Sequence, residues 1–442
     1  MNCPSIGVSG GSRGPRRWRW RRASGPCSCC PCDEVRLGLT SIESGLCQRI
    51  ESRRSALLDD LRLHVGLPTG GFNAEALDRE RGIFCERLGR LGADVRLVPG
   101  EPAEEWLTGA GRAPPPTAVC SRLRPGARCR VLLSGHLDTV HDPAGPFREL
   151  VVSGDGSRAT GPGCVDMKGG LVIAVAALEA LDEAGLEVSW TFVFNSDEET
   201  GSYHSSAALG DQARRHDVGL VFEPAMGNGG LVVERSGSGQ FVIDVEGRSA
   251  HVGRDFASGA SAVVGLARCI VRCDGLVDVP GGVVVNLAPI SGGVAPNVVP
   301  DRARALGNVR FKTAEQSERL GRELDALSTP GDSLPRVRVR RSFARPAKPL
   351  TDGVRGLAAL VRRASEDLGR ELPWGSTGGV CDGNNLQAHG LPTVDTLGVR
   401  GGGLHTTDEW IELPSLVERC QLAALVIHRL TEGGAPPPVP AG

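Results

Sequence analysis

The sequence predicts an α/β protein: a mostly parallel sheet with helices on both faces, plus an inserted βαββαβ, ferredoxin-like domain. Three observations predict it. From residue 130, short continuous apolar runs alternate with helical segments, the pattern of parallel strands buried on both faces. Between residues 238 and 344 that pattern gives way to longer, alternating strands around two helices. The 442-residue length calls for two or three domains at about 100–200 residues each.

The elements follow in chain order. Order is expected from near Leu37. Leu46, Ile50, Leu57, Leu58 and Leu61 mark one amphipathic helix to about Val65, stopped by Gly66-Leu67-Pro68. A second helix starts after Asn73, an N-cap residue, and ends at Gly92. Asp94–Val98 reads as a strand and Gly111–Pro116 as a Pro-rich loop. Val131–Leu133, Trp190–Phe194 and Gly219–Phe222 read as buried strands, and Gly169–Leu181 as an apolar helix. In the insert, strands are expected at Gln240–Val245, Val283–Ile290, Arg302–Phe311 and Val337–Phe343. Its helices are expected at Ala257–Arg272 and Ala314–Leu327. The first pattern resumes near Leu350. The expected division is 37–237 with 345–432 for a discontinuous main domain and 238–344 for a domain inserted into it, with disordered ends at 1–36 and 433–442.

Composition narrows the function. A net charge of −2 argues against bulk electrostatic binding of nucleic acid. No apolar run reaches the ~18–20 residues that span a bilayer. Residues 1–32 carry six Arg and no acid, and Arg16–Arg22 interleaves cations with Trp18 and Trp20. That run suits single-stranded nucleic acid, but nothing later supports it, so an extension without function is preferred. It lacks the apolar stretch of a signal peptide, which leaves the cytoplasm as the default address. Cys27, Cys29, Cys30 and Cys32 crowd together without a second CxxC or a His pair, a poor metal signature. The remaining Cys of the 14 are expected to be free and buried.

Five loops carry the chemistry. In Gly135-His136-Leu137-Asp138, i and i+2 face the same way, so Asp138 is placed to orient His136. Alone, His136 reads equally as a turn residue. Asp166 stands in the Gly-rich Gly161–Gly170 loop, where it reads as a helix cap or a ligand. Asp197-Glu198-Glu199 follows a strand; it reads as a solvated turn or as a cation site whose two Glu divide coordination and proton transfer. Glu223 and His405 are unremarkable alone. Together, two His and three carboxylates at strand ends suit two Zn²⁺ about 3.5–4 Å apart. The charges agree: Asp166, Glu199, Glu223 and one hydroxide neutralise two dications.

GHLDTV, GPGCVDMKGG, NSDEETGS, FEPA and GLHTTDE occur in an order that resembles the metallopeptidase family of glutamate carboxypeptidase, acetylornithine deacetylase and succinyl-diaminopimelate desuccinylase. The glutamate carboxypeptidase branch is nearest. The resemblance spans about Leu46–Leu430. It implies that His136 and Glu223 hold one zinc, Glu199 and His405 the other, and Asp166 both; Co²⁺ or Mn²⁺ are alternatives. It implies Glu198 as general base and His251 as oxyanion donor, usually across a dimer. It also implies Arg310 and Asn297 as ligands of a substrate carboxylate. The expected substrate is a small peptide or N-acyl amino acid, the expected assembly a homodimer through the inserted lid domain, with neither nucleic acid nor membrane as partner. An N-acyl-amino-acid deacylase is the in-class alternative. Asn308 and Cys381 depart from the family pattern and leave the substrate open.

Overall fold

In the computed structural model, residues 38–71, 73–109 and 113–440 are described. The expectations for the Arg/Cys-rich segment 1–36 lie outside them.

A six-stranded sheet frames the site. Its order is Asp94–Val98, Thr117–Arg122, Trp190–Asn195, Val131–His136, Val218–Val221 and Thr393–Val394. The last four strands are mutually parallel, while Thr117–Arg122 runs antiparallel to both of its neighbours. The sheet is therefore mixed.

Alternate residues of these strands serve different cores, which is why the runs are continuously apolar. Ala118, Cys120, Val131, Leu133, Phe192 and Phe194 point into a large core with the helices Gly169–Glu183 and Pro414–Gly433. Val119, Leu132, Val193 and Val221 face the opposite way, onto Leu209 and Leu386 of the helices Ser206–Ala213 and Asp382–Ala388. Both faces are thus covered.

Between Gly237 and Arg345 the chain builds a separate four-stranded antiparallel sheet. Its order is Val284–Gly292, Arg302–Phe311, Gly237–Glu246 and Arg336–Arg345. Helices Ala262–Asp274 and Ala314–Asp325 cover one face of it with their own core. Thr313 caps the second of these in a capping box with Gln316. By Cα packing, Gly38–Gly442 form one unit, within which these hydrophobic cores are distinct.

Two expectations need correction. The helix expected over 46–65 is two helices, Ser41–Glu51 and Arg54–Val65. Ser52 Oγ donates to the Arg49 carbonyl at 2.7 Å, competing with the helical ladder, and Arg53 leaves helical geometry with ψ 11°. The helix expected over 257–272 starts at Ala262, capped by Ser261, after a separate turn at Phe256–Ser258. The tail is described to residue 440 and lies along the helix Asp352–Asp367, where Val439 N–H donates to the Asp352 carbonyl at 3.0 Å. All nine described cysteines are free, and all but Cys85 are buried. Among the described residues no helix is long and apolar enough to cross a membrane.

Candidate active site

Parallel strands deliver their ends to one edge, and the site residues sit there. His136 is the last residue of Val131–His136 and pairs in register with Asn195. Glu198 and Glu199 follow the strand ending at Asn195, and Glu223 follows the one ending at Val221. Two glycines permit the approach of the neighbouring helix. A Cβ on Gly170 would lie 2.0 Å from the Phe222 carbonyl oxygen, beside Glu223. Gly163 takes φ +68°, where a side chain would strike Thr139. The Asp166–Met167 peptide that follows is cis.

Asp166 lies at the centre. Its Oδ1 is 3.3 Å from His136 Nε2, and its Oδ2 is 3.4 Å from His405 Nε2. His405 Nε2 is 3.5 Å from Glu199 Oε2, and His136 Nε2 is 3.9 Å from Glu223 Oε1. His136, Asp166 and Glu199 offer ligand atoms within 4.8 Å of one another. All five sequence-derived ligands therefore converge. His405 reaches in from an exposed loop with a left-handed backbone, φ +62°, uncommon for a residue with a side chain.

The electrostatics show which partners this cluster suits. Burial and then the charge of Asp166 push Glu199 up to about 10. Burial, with Asp166 and Glu198 nearby, raises Glu223 as well. Burial opposes a charged His136, yet the carboxylates of Asp138 and Asp166 outweigh it and raise its pKa. Burial also opposes ionisation of Asp166, but His136 and His405 hold its pKa below the usual value. Glu199 Oε1 is buried with no hydrogen-bond partner among the described residues. Crowded carboxylates, two imidazoles and an orphaned oxygen are a donor set that fits divalent cations.

The surrounding contacts fix these ligands. His136 Nδ1 donates to the backbone oxygen of Asp138 at 2.8 Å, while the Asp138 carboxylate stands 3.6 Å from the same nitrogen. That carboxylate instead accepts from Glu198 N (3.2 Å) and Glu199 N (3.0 Å), clamping the acidic loop. Two residues escaped the sequence reading. Glu409 accepts from the backbone N–H groups of Gly163, Val165 and Asp166 at 2.8–3.0 Å, tying the His405 loop to the Asp166 loop. Arg345 Nη1 donates to Glu198 Oε1 at 2.7 Å, and its Nη2 to the Glu198 backbone oxygen at 3.0 Å. Asp382 stands behind Arg345 at 3.7 Å; burial pushes it up to about 6 against the pull of Arg345. The only local signal was Glu409 itself, in the quoted GLHTTDE.

A cavity of about 300 Å³ opens over the cluster. Glu198, Glu199, His405 and Arg345 line it together with Arg310. Arg310 Nη1 is buried without a partner among the described residues, and burial plus the charge of Arg345 lower its pKa. His251 and Asn297 do not line this cavity. They sit side by side on the insert, both exposed, with Val252 N–H donating to the Asn297 carbonyl at 3.1 Å.

An α/β scaffold that gathers two His and three acids at one strand edge, with a further Glu beside them, defines a metal-dependent hydrolase. Residues 132–429 match the model of the peptidase family M20/M25/M40, and the chain belongs to that family. It is 26% identical over 408 residues to carboxypeptidase G2 of Pseudomonas sp. (strain RS-16), covering 88% of this chain and 92% of the relative. It is 27% identical over 327 residues to succinyl-diaminopimelate desuccinylase 2 of Shewanella loihica, covering 68% and 85%. A tripeptidase structure from Staphylococcus aureus superposes with TM-score 0.70 at 21% identity, over 86% of this chain and 99% of that one. A Bacillus subtilis M20 peptidase described as dinuclear metal-binding gives 0.59 at 13% identity, over 86% and 99%. The last two likenesses establish the fold. The chain is a metal-dependent exopeptidase or amidohydrolase.

Proposed function

We propose that the chain hydrolyses an amide bond next to a free carboxylate, releasing a C-terminal, glutamate-like amino acid from a peptide or N-acyl amino acid. One observation carries this reading: the unpartnered guanidinium of Arg310 shares a cavity with the acid–imidazole cluster. A planar guanidinium is suited to bidentate binding of a carboxylate.

His136, Asp166, Glu199, Glu223 and His405 would hold two divalent cations, zinc by donor type. When bound, such ions polarise a carbonyl and lower the pKa of water. Glu198 takes a proton from the attacking water and returns it to the leaving amine. Arg345 fixes the orientation of that carboxylate. Arg310 holds the substrate carboxylate and so sets which amide is presented. The insert is read as a ferredoxin-like lid. Its exposed Val263, Val264, Val271 and Ile290 are read as a dimer face. His251 and Asn297, outside the cavity of their own chain, are read as serving a partner's site.

Glu198→Gln should lower kcat by about 10²–10⁴-fold with metal content unchanged; near-normal kcat would sink the assignment. Arg310→Ala should raise KM roughly 10- to 100-fold for free-carboxylate substrates, the worth of a charged hydrogen bond. Neutral amides should be spared; equal effects on both would remove the docking role. The relatives include a carboxypeptidase and a desuccinylase. Peptides ending in Glu, compared with N-acetyl and N-succinyl amino acids, separate the main reading from an N-acyl-amino-acid deacylase.

A further inference from the structure

A second cavity, of about 280 Å³, shares no lining residue with the active site. The Asn228–Gly229 loop, Arg370, Arg400 and the helix Pro414–Gly433 through Glu418 and Arg419 form its walls, with Glu371 as a second carboxylate on the rim. Three arginines therefore converge on one small volume.

Arg419 is the unusual member. It is only 4% exposed. Its Nη2 donates to the Gly229 carbonyl, but its Nη1 is buried with no hydrogen-bond partner among the described residues. Glu418, its chain neighbour, is engaged elsewhere: Arg400 Nη1 holds it at 2.6 Å and Arg370 Nε faces it at 3.7 Å. Arg400 is also paired with Glu412 at 2.7 Å. Burial, and then the charge of Arg400, weaken the hold of Arg419 on its proton, to about 10. The charges of Glu418 and Glu412 offset part of this, yet neither carboxylate bonds to Arg419, and a buried guanidinium with an unmade hydrogen bond is costly. Gly229 adopts φ +75°, and a Cβ there would meet Arg400 Cδ at 3.1 Å, so only glycine lets the loop lie this close.

We propose that this cavity binds a small oxyanion, a carboxylate or a phosphate, with Arg419 as the buried anchor and Arg370 and Arg400 beside it. Nothing in the hydrolytic reading requires the site, and its test is independent of that reading.

The test is calorimetric titration of the metal-loaded, full-length protein with inorganic phosphate and, separately, with succinate. Four proteins are compared: the native chain, Arg310→Ala, Arg370→Ala and Arg419→Gln. Binding should persist in Arg310→Ala, weaken at least tenfold in Arg370→Ala and vanish in Arg419→Gln. Binding of either anion with that pattern supports the site, and the anion that binds identifies the source. Should Arg419→Gln not fold, the half-exposed Arg370 carries the comparison. Absence of binding to the native chain, or affinity untouched by Arg370→Ala, overturns the proposal. Binding abolished by Arg310→Ala alone overturns it too, because that places the anion in the active site.

Discussion

Glu409 and Asp395 illustrate what single side chains contribute. Glu409 touches no predicted ligand side chain, yet it receives three backbone N–H groups around Asp166. Glu409→Gln should weaken metal affinity about 10–100-fold, the usual effect of losing a residue that orients a ligand; a chelator competition titration reads it. Asp395 is fully buried between Arg235 Nη2 at 2.7 Å and Lys348 Nζ at 3.2 Å. Burial opposes its charge, but the two cations prevail and hold its pKa below the ordinary value. Its stabilisation is therefore fully present above about pH 4 and is lost as pH falls through the lower folded value. Asp395→Asn should cost about 3–5 kcal/mol at neutral pH, with the gap narrowing in acid; urea melts across pH 3–7 check this. At this scale the candidate ligands could be picked out because residue type announces metal chemistry. Glu409 and Arg345 were not, since a carboxylate that binds backbone amides more than 240 positions away leaves no local pattern. Asp138 faces His136 with both its carbonyl and its carboxylate, and the carbonyl contact is a detail that side-chain spacing does not contain.

Among the elements, strands with long apolar runs were plain from the sequence, and Arg302–Phe311 has the expected bounds. Thr117–Arg122 went unseen. Its TAVCSR is short and half polar, and it owes its place to antiparallel pairing on both sides. Likewise, nothing apolar distinguishes Ser52 and Arg53, where one expected helix becomes two. The helix Gly169–Glu183 supplies a sharper test. Gly170→Ala would press a methyl against the Phe222 carbonyl, backbone that has no rotamer to yield. It should destabilise by about 1–3 kcal/mol and weaken metal binding through Glu223, whereas Gly185→Ala, strained only by its own φ of +70° and far from the cluster, should leave metal binding unaffected. Thermal melts and metal titration of both variants decide it.

For the whole molecule, a cation-binding cluster of this kind predicts that cation binding and folding are coupled. The three ligand acids are held together in the folded chain, and each bound ion favours that state by about 2.7 kcal/mol at a hundred times its Kd. Chelation should therefore lower the Tm, and restoring metal should recover it; a Tm indifferent to chelator would contradict the coupling. The insertion was legible from its change of strand rhythm, whereas the seating of the tail along Asp352–Asp367 depends on one backbone contact far away in sequence. The brace between the Asp166 and His405 loops also bears on biosynthesis. A growing polypeptide of 400 residues already possesses the insert, all six strands of the framing sheet and the acidic turn, but neither His405 nor the carboxylate that steadies Asp166. Premature termination a few dozen codons early would thus remove His405 and Glu409 together with the core helix Pro414–Gly433, leaving no competent cage.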